Sequence, residues 1–361
     1  MPVLNPNDLT FSPDEVRSTS AAVFKKAYKN PAFTEFHAIE QGIKAGKQIA
    51  LLGRMGLLGK KKTGCAPSES SSGITNTEKF WQPVVIEDRV GDCWENIKET
   101  FFVWGTKNGI AREDLTDTDF ANFVEMRISE ALNDTNWRNA WFGDTAANNV
   151  GASPNPGNLT VGVDPDYFNA LDGYWKQLFA IVATTSERKS TGLASRNGQS
   201  TYADQKFTTT DTTNRVVMET LASMKNDSTL LLKDQPNRVY IVTLSVFEQY
   251  ARELRSYTNV EASYNRIESG YNVLMFENIP VIPVSFFDRT IQDYFDNGSS
   301  YYLPHRAVLT TTDNLKLGLE ATSNLDELDV FYDKTLKKIF MDFAVSMDAK
   351  VIDDELVQVA Y

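Results

Sequence analysis

Between residues 117 and 142 the apolar positions fall three and four apart, and this spacing constrains the fold more than any other feature. Phe120, Phe123, Val124, Ile128, Ala131 and Leu132 mark one helical face, and Trp137, Ala140 and Trp141 extend it. Thr116 or Asp117 can cap the first amides, and Gly143-Asp144 ends the pattern. At ~1.5 Å per residue such a helix runs about 40 Å. That is too long to be wrapped on every side by a small core. The helix is therefore expected to lie as a brace across a sheet containing residues 336–347. There Ile339, Met341, Phe343, Val345 and Met347 alternate onto one face.

The remaining segments supply the parts of a mixed α+β chain. Residues 1–50 read as an extended arm: Pro2, Pro6 and Pro13 break the first stretch. Phe33, Phe36, Ile39, Glu40 and Ile43 follow helical spacing. Gly53, Gly56, Gly59, Gly64 and Gly73, with Lys60-Lys61-Lys62, give residues 53–78 the composition of a flexible loop. Strands are expected in residues 80–105, although periodicity leaves a short helix open for 93–104. Asp164-Pro165 is expected to open a helix carrying Phe168, Leu171, Trp175, Leu178, Phe179 and Val182. A helix over about 214–225 and a strand over 238–243 follow. Ser245-Val246-Phe247-Glu248 reads as a capping box opening a helix through Arg255. Strands at 273–276 and 281–284 flank a turn, and 306–310, 330–332 and 357–359 add further strands.

Composition sets outer bounds. With 361 residues, 42% of them hydrophobic, the chain can bury a core without disulfides or metals. Its net charge of −12, relieved only by Lys60-Lys61-Lys62, argues against tight sequence-independent grip on phosphates. Two cysteines, Cys65 and Cys93, make no disulfide framework. No secretory leader or membrane-length apolar run is visible.

Chemistry-bearing motifs are sparse. His37 and His305 stand far apart, and the cysteines have no zinc spacing. Gly53 to Lys60 imitates a phosphate-binding loop, but five residues separate Gly53 from Gly59 and Lys61 follows Lys60. No G-x-S-x-G elbow occurs. Glu113-Asp114, Asp117-x-Asp119 and Asp326-Glu327 fit helix-dipole partners better than acid–base pairs. The six tryptophans fit core packing and subunit contacts better than a sugar platform. No cofactor, metal ligand or catalytic residue is expected.

Several phrases resemble the major capsid proteins of tailed bacteriophages with the Hong Kong 97-like fold. Trp137-Arg138-Asn139-Ala140-Trp141-Phe142-Gly143-Asp144 resembles the end of that family's spine helix. Asn237 to Val242, followed by a capped helix, resembles the strand–helix unit of its A-domain. Glu277-Asn278-Ile279-Pro280-Val281-Ile282-Pro283 resembles its G-x-P-V hairpin, with Asn278 where glycine is usual. Pro304 to Leu309 and Asp313-Asn314-Leu315 resemble the return strand and turn.

The resemblance implies an N-terminal arm over 1–50, an extended E-loop region over 51–112, and a P-domain spine helix over 113–150. An A-domain over 151–305 and P-domain return strands over 306–361 complete it. It implies a shell of hexamers and pentamers enclosing a dsDNA genome, bound without sequence specificity. It also implies a separate scaffolding protein, a portal, decoration or auxiliary head proteins, no membrane, and a virion assembled in the bacterial cytoplasm. Phe24, Phe33, Phe36, Ile39, Phe80, Trp81, Phe101, Phe102 and Trp104 are the expected subunit-interface residues, because they need burial somewhere. Phe120, Phe123, Val124, Ile128 and Leu132 are the expected core of the spine helix. The alternatives are an encapsulin-like compartment with protein cargo and, from a different class, an Asp/Glu-dependent carbohydrate-active hydrolase.

Overall fold

The computed structural model describes residues 37–55, 74–107, 117–149, 159–256, 264–266, 272–320, 327–333, 335–336 and 338–361. The described chain opens with β1 (Ala38–Ile43). A two-stranded antiparallel ribbon follows, β2 (Gln48–Met55) with β3 (Ile74–Phe80), and then β4 (Val84–Cys93). Two helices come next, α1 (Trp94–Lys107) and α2 (Asp117–Phe142), then α3 (Tyr174–Thr184) and the short β5 (Lys189–Ser190). After three brief helical turns the order is α4 (Val216–Asp227), β6 (Arg238–Val242) and α5 (Leu244–Arg255). Next are β7 (Tyr264–Arg266), β8 (Asn272–Phe276), β9 (Ile279–Pro283) and α6 (Ser285–Tyr294). The last strands are β10 (Ala307–Thr311), β11 (Leu315–Glu320), β12 (Glu327–Asp333), β13 (Lys338–Val351) and β14 (Val357–Ala360).

Two larger sheets organise these elements. In the seven-stranded sheet the order is β5-β14-β10-β6-β9-β8-β7. Its central strand β6 is apolar on both faces because both faces are covered. Val239 and Ile241 enter the core cluster beneath α2, α3 and α6, while Tyr240 and Val242 enter a second cluster with α4 and α5. In the five-stranded sheet, the 14-residue β13 carries β11 and β12 along one edge and β4 along the other. β1 adds to β11 in parallel, so the sheet joins residues from both ends of the described chain. The return segment 306–361 therefore serves both sheets: β10 and β14 in one, β11 to β13 in the other.

The long helix spans Asp117–Phe142, the bounds that the three-four spacing predicts. Phe123, Ile128 and Leu132 are buried in the same cluster as Ile339, Val345 and Met347 of β13. The helix packed on β13 is α3, and α2 packs chiefly on α3 and α1. Gly143 sets that packing. A Cβ there would stand 2.5 Å from the Leu171 carbonyl oxygen, so only glycine lets the end of α2 meet the start of α3.

Several expectations need correction. Residues 38–43 form a strand, not a helix, because backbone pairing to β11 outweighs local spacing; Ile43 reaches the core past a bulge at Gly42, φ +78. Residues 94–107 are helix, since Phe101 and Trp104, three apart, stack together at 5.9 Å and both meet Phe123 of α2. Gly53 and residues 74–78 belong to the ribbon rather than to a loop. Asp164 caps only a 3-10 turn, Pro165–Tyr167, and the helix itself begins at Tyr174. No capping box opens α5. Its first amides, Leu244 and Ser245, donate to the Asp288 carboxylate of α6 at 2.6 and 3.2 Å, a cap supplied from 44 residues away.

Candidate assembly surface

The ribbon leaves the body at a densely tied base. Trp81, immediately after β3, is fully buried and lies over Gly318 of β11 beside Ile43. Its backbone closes a small loop: Gly46 N–H donates to the Trp81 carbonyl (2.9 Å), and Trp81 N–H donates to that of Lys47 (3.0 Å). Lys79 Nζ donates to the Val351 carbonyl and to Asp354 Oδ1, each at 2.7 Å. Gln82 N–H donates to Asp348, whose buried carboxyl is pushed above the usual range by desolvation. Glu40 of β1 bridges Lys47 and Lys316, at 2.9 and 3.6 Å.

Around that base several apolar side chains are exposed among the charged ones. Phe80 is 41% exposed, and Val84, Val85 and Val90 of β4 are 38–47% exposed. Among the described residues β4 pairs only with β13, so its outer edge carries unpaired backbone groups beside exposed valines. An open edge with exposed valines invites a covering partner, while the charged run Glu87-Asp88-Arg89 within it disfavours unspecific strand pairing. Leu230 and Leu231 form a second exposed apolar pair, at 76% and 42%.

The sequence-derived interface residues divide. Phe24, Phe33 and Phe36 lie outside the described residues. Phe80 is exposed, while Ile39, Phe102 and Trp104 are partly buried against the chain's own core. For Trp81 and Phe101 the burial argument fails: both are buried within their own subunit, under Gly318 and against Phe123. Phe120 and Val124 fall within α2, but their side chains lie outside the described set. The exposed edge valines were missed because Val84-Val85-Ile86 reads only as a strand, although Pro83 before it and Glu87-Asp88-Arg89 after it are features of an edge.

Two buried polar groups could be mistaken for chemistry. Ser245 Oγ lies 2.8 Å from His305 Nδ1, and Asp288 touches the same turn. The geometry is not a relay. His305 Nε2 lies 2.7 Å from the Gln205 carbonyl, which can only accept, so Nε2 carries the proton and Nδ1 accepts from Ser245. Asp288 caps α5 instead of orienting the imidazole, and burial pushes His305 down to about 4. Arg306 is the other. Only 2% exposed, it sits 5.1–5.6 Å from the rings of Trp175, Phe142, Phe179 and Tyr302 and donates to the carbonyls of Leu303 and Tyr302. Among the described residues no cluster of His, Cys, Asp and Glu could hold a metal, and no helix is long and apolar enough to cross a membrane.

No family model and no curated protein matches this sequence. Solved structures do match. A chain of the satellite phage P4 procapsid, whose structure includes the size determination (Sid) protein, superposes with a TM-score of 0.51 at 11% identity. The match covers 96% of this chain and 98% of that one. A chain of the bacteriophage PhiM1 mature capsid gives 0.45 at 10% identity, over 90% and 85%. The SrpI encapsulin complex of Synechococcus elongatus gives 0.41 at 8% identity, over 89% and 84%. Through the P4 match, the chain has the mixed helix-and-sheet fold of a phage procapsid chain.

Proposed function

We propose that this chain is the major capsid protein of a tailed bacteriophage. It assembles as hexamers and pentamers into an icosahedral head around dsDNA. The observation that carries the reading is that the fold of a procapsid chain covers 96% of this chain. In this reading residues 1–50 are the arm, 51–112 the E-loop region, 113–150 the spine-helix segment, 151–305 the A-domain and 306–361 the return strands. The ribbon and the exposed edge of β4, with Phe80, Val84, Val85 and Val90, meet neighbouring copies. The net charge of −12 suits an inner surface that faces packed DNA without gripping it. Scaffolding, portal and decoration proteins are separate chains, and the virion is where the mature protein resides.

Electron microscopy of the overexpressed protein tests this directly. Closed particles of uniform diameter, built from five- and six-fold clusters, are expected. A chain that remains monomeric at every concentration overturns the proposal, and particles that retain a specific protein cargo reassign it to a compartment shell. Hydrogen exchange adds detail: residues 74–93 should gain protection on assembly.

A further inference from the structure

Arg306 is buried as a cation without a counter-ion. Burial lowers its guanidinium only to about 10, so it stays charged at neutral pH. Its Nε and Nη2 donate to the carbonyls of Leu303 and Tyr302, at 2.9 and 3.1 Å, while among the described residues Nη1 makes no hydrogen bond. No carboxylate pairs with it: Asp288, whose charge it feels, spends its oxygens on the α5 amides. The four surrounding rings offset the charge, but a ring is a weak acceptor and leaves the N–H groups of Nη1 short of a lone pair. Burying a cation is costly unless its donors are met.

A small cavity lies against this cation, where the end of α2, one face of α3, the residue after α6 and the approach to β10 converge. Its volume is about 20 Å³, enough for one occupant the size of a water or a halide ion. The other charged lining residues, Lys176 and Asp144, pair with each other at 2.8 Å, so one positive charge is left unbalanced, that of Arg306. The Tyr302 phenol does not balance it, because burial pushes it up to about 12 and keeps it neutral. A second donor lies in the same lining: the indole N–H of Trp175 is buried and makes no hydrogen bond.

We propose that this cavity is a halide site, holding one chloride ion between Arg306 and the Trp175 indole. Charge, size and donors together select the ligand. One monovalent anion cancels the charge of Arg306. A phosphate, sulfate or carboxylate exceeds the volume, and a water fits but brings no charge. Bound there, chloride accepts from Arg306 Nη1 and Trp175 Nε1. It ties the four converging segments together and stabilises the folded subunit by mass action.

Thermal melts of the full-length chain test this by comparing sodium chloride with sodium gluconate, an anion too large for the cavity, at equal ionic strength. Chloride at about ten times its dissociation constant should raise the melting temperature by ~2 °C above the gluconate value. Trp175→Phe keeps the aromatic packing and removes the indole donor, and should lose most of that gain. Arg306→Met should lose all of it. Salt effects on the rest of the surface are common to parent and variants and cancel in the comparison. A folded variant of either residue that keeps the full gain overturns the site, and so does a parent chain without any gain. Bromide gives a second readout that needs no variant, because a heavy halide bound beside the Trp175 indole quenches its emission. That quenching should saturate with bromide concentration. A rise that stays linear overturns the site even if neither variant folds.

Discussion

Replacing Arg306 by methionine removes a charge enclosed by four aromatic rings, and the expected result is a net loss of stability. Burial lowers the guanidinium to about 10, so it remains charged at neutral pH. A desolvated cation–π contact is worth up to about 2 kcal/mol, and four rings sharing one cation supply ~4 kcal/mol in sum. The hydrogen bonds to the Leu303 and Tyr302 carbonyls add ~1.5–3 kcal/mol each, and methionine leaves both acceptors unpaired. Against this, methionine recovers the several kcal/mol spent on desolvating the guanidinium. The balance is a destabilisation of about 2–4 kcal/mol. Arg306→Lys keeps the charge but not the planar fork, and should lie between the two. Leu303 sharpens the argument: it holds φ +44, a conformation costly for leucine, and its carbonyl is one that Arg306 receives. Urea unfolding of the isolated subunit, followed by tryptophan fluorescence, measures the difference. A methionine variant as stable as the parent would refute the reasoning, because desolvation would then outweigh the cage.

His305 should make the subunit acid-sensitive. Its folded value of about 4 lies below the ordinary ~6.5, so the unfolded chain binds more protons between them; stability is full above about 6.5 and falls as pH drops toward 4. His305→Asn should flatten that slope in melts taken from pH 7 to pH 4. Asp288→Ala should cost about 1–2 kcal/mol by uncapping α5, with Asp288→Asn milder, both read from thermal melts. Val85→Lys, on the exposed edge of β4, should leave the subunit's melting within about 0.5 kcal/mol of wild type yet reduce particle yield; unchanged yield would remove that edge from the assembly surface.

What was legible in the sequence follows from how far each cause reaches along the chain. The bounds of α2 could be read because Phe123, Ile128 and Leu132 repeat every few residues and Gly143 ends the run. The alternation in β13 and the Glu277-Asn278 turn, where both residues hold positive φ, were equally local. β1 was misread because its partner, Leu317, stands 278 positions beyond Ile39, and nothing near Ile39 reports that pairing. The Asp288 cap on α5 escaped notice for the same reason. At the candidate assembly surface the sequence named an aromatic region but not which of its side chains face outward. Trp81 and Phe80 are neighbours of similar hydrophobicity, and Trp81 is the one that finds room against Gly318, a residue 237 positions away.

The pairing of β1 and β4 with strands near the other end of the chain has a bearing on synthesis. On the ribosome, residues 38–43 and 84–93 emerge hundreds of residues before β11 and β13, so the five-stranded sheet cannot close until residue 351 has been made. The seven-stranded sheet waits as well, because β14 lies between β10 and β5. A polypeptide released before residue 338 lacks the strand on which β4, β11 and β12 all pair. Such a fragment has no completed body from which to present its ribbon.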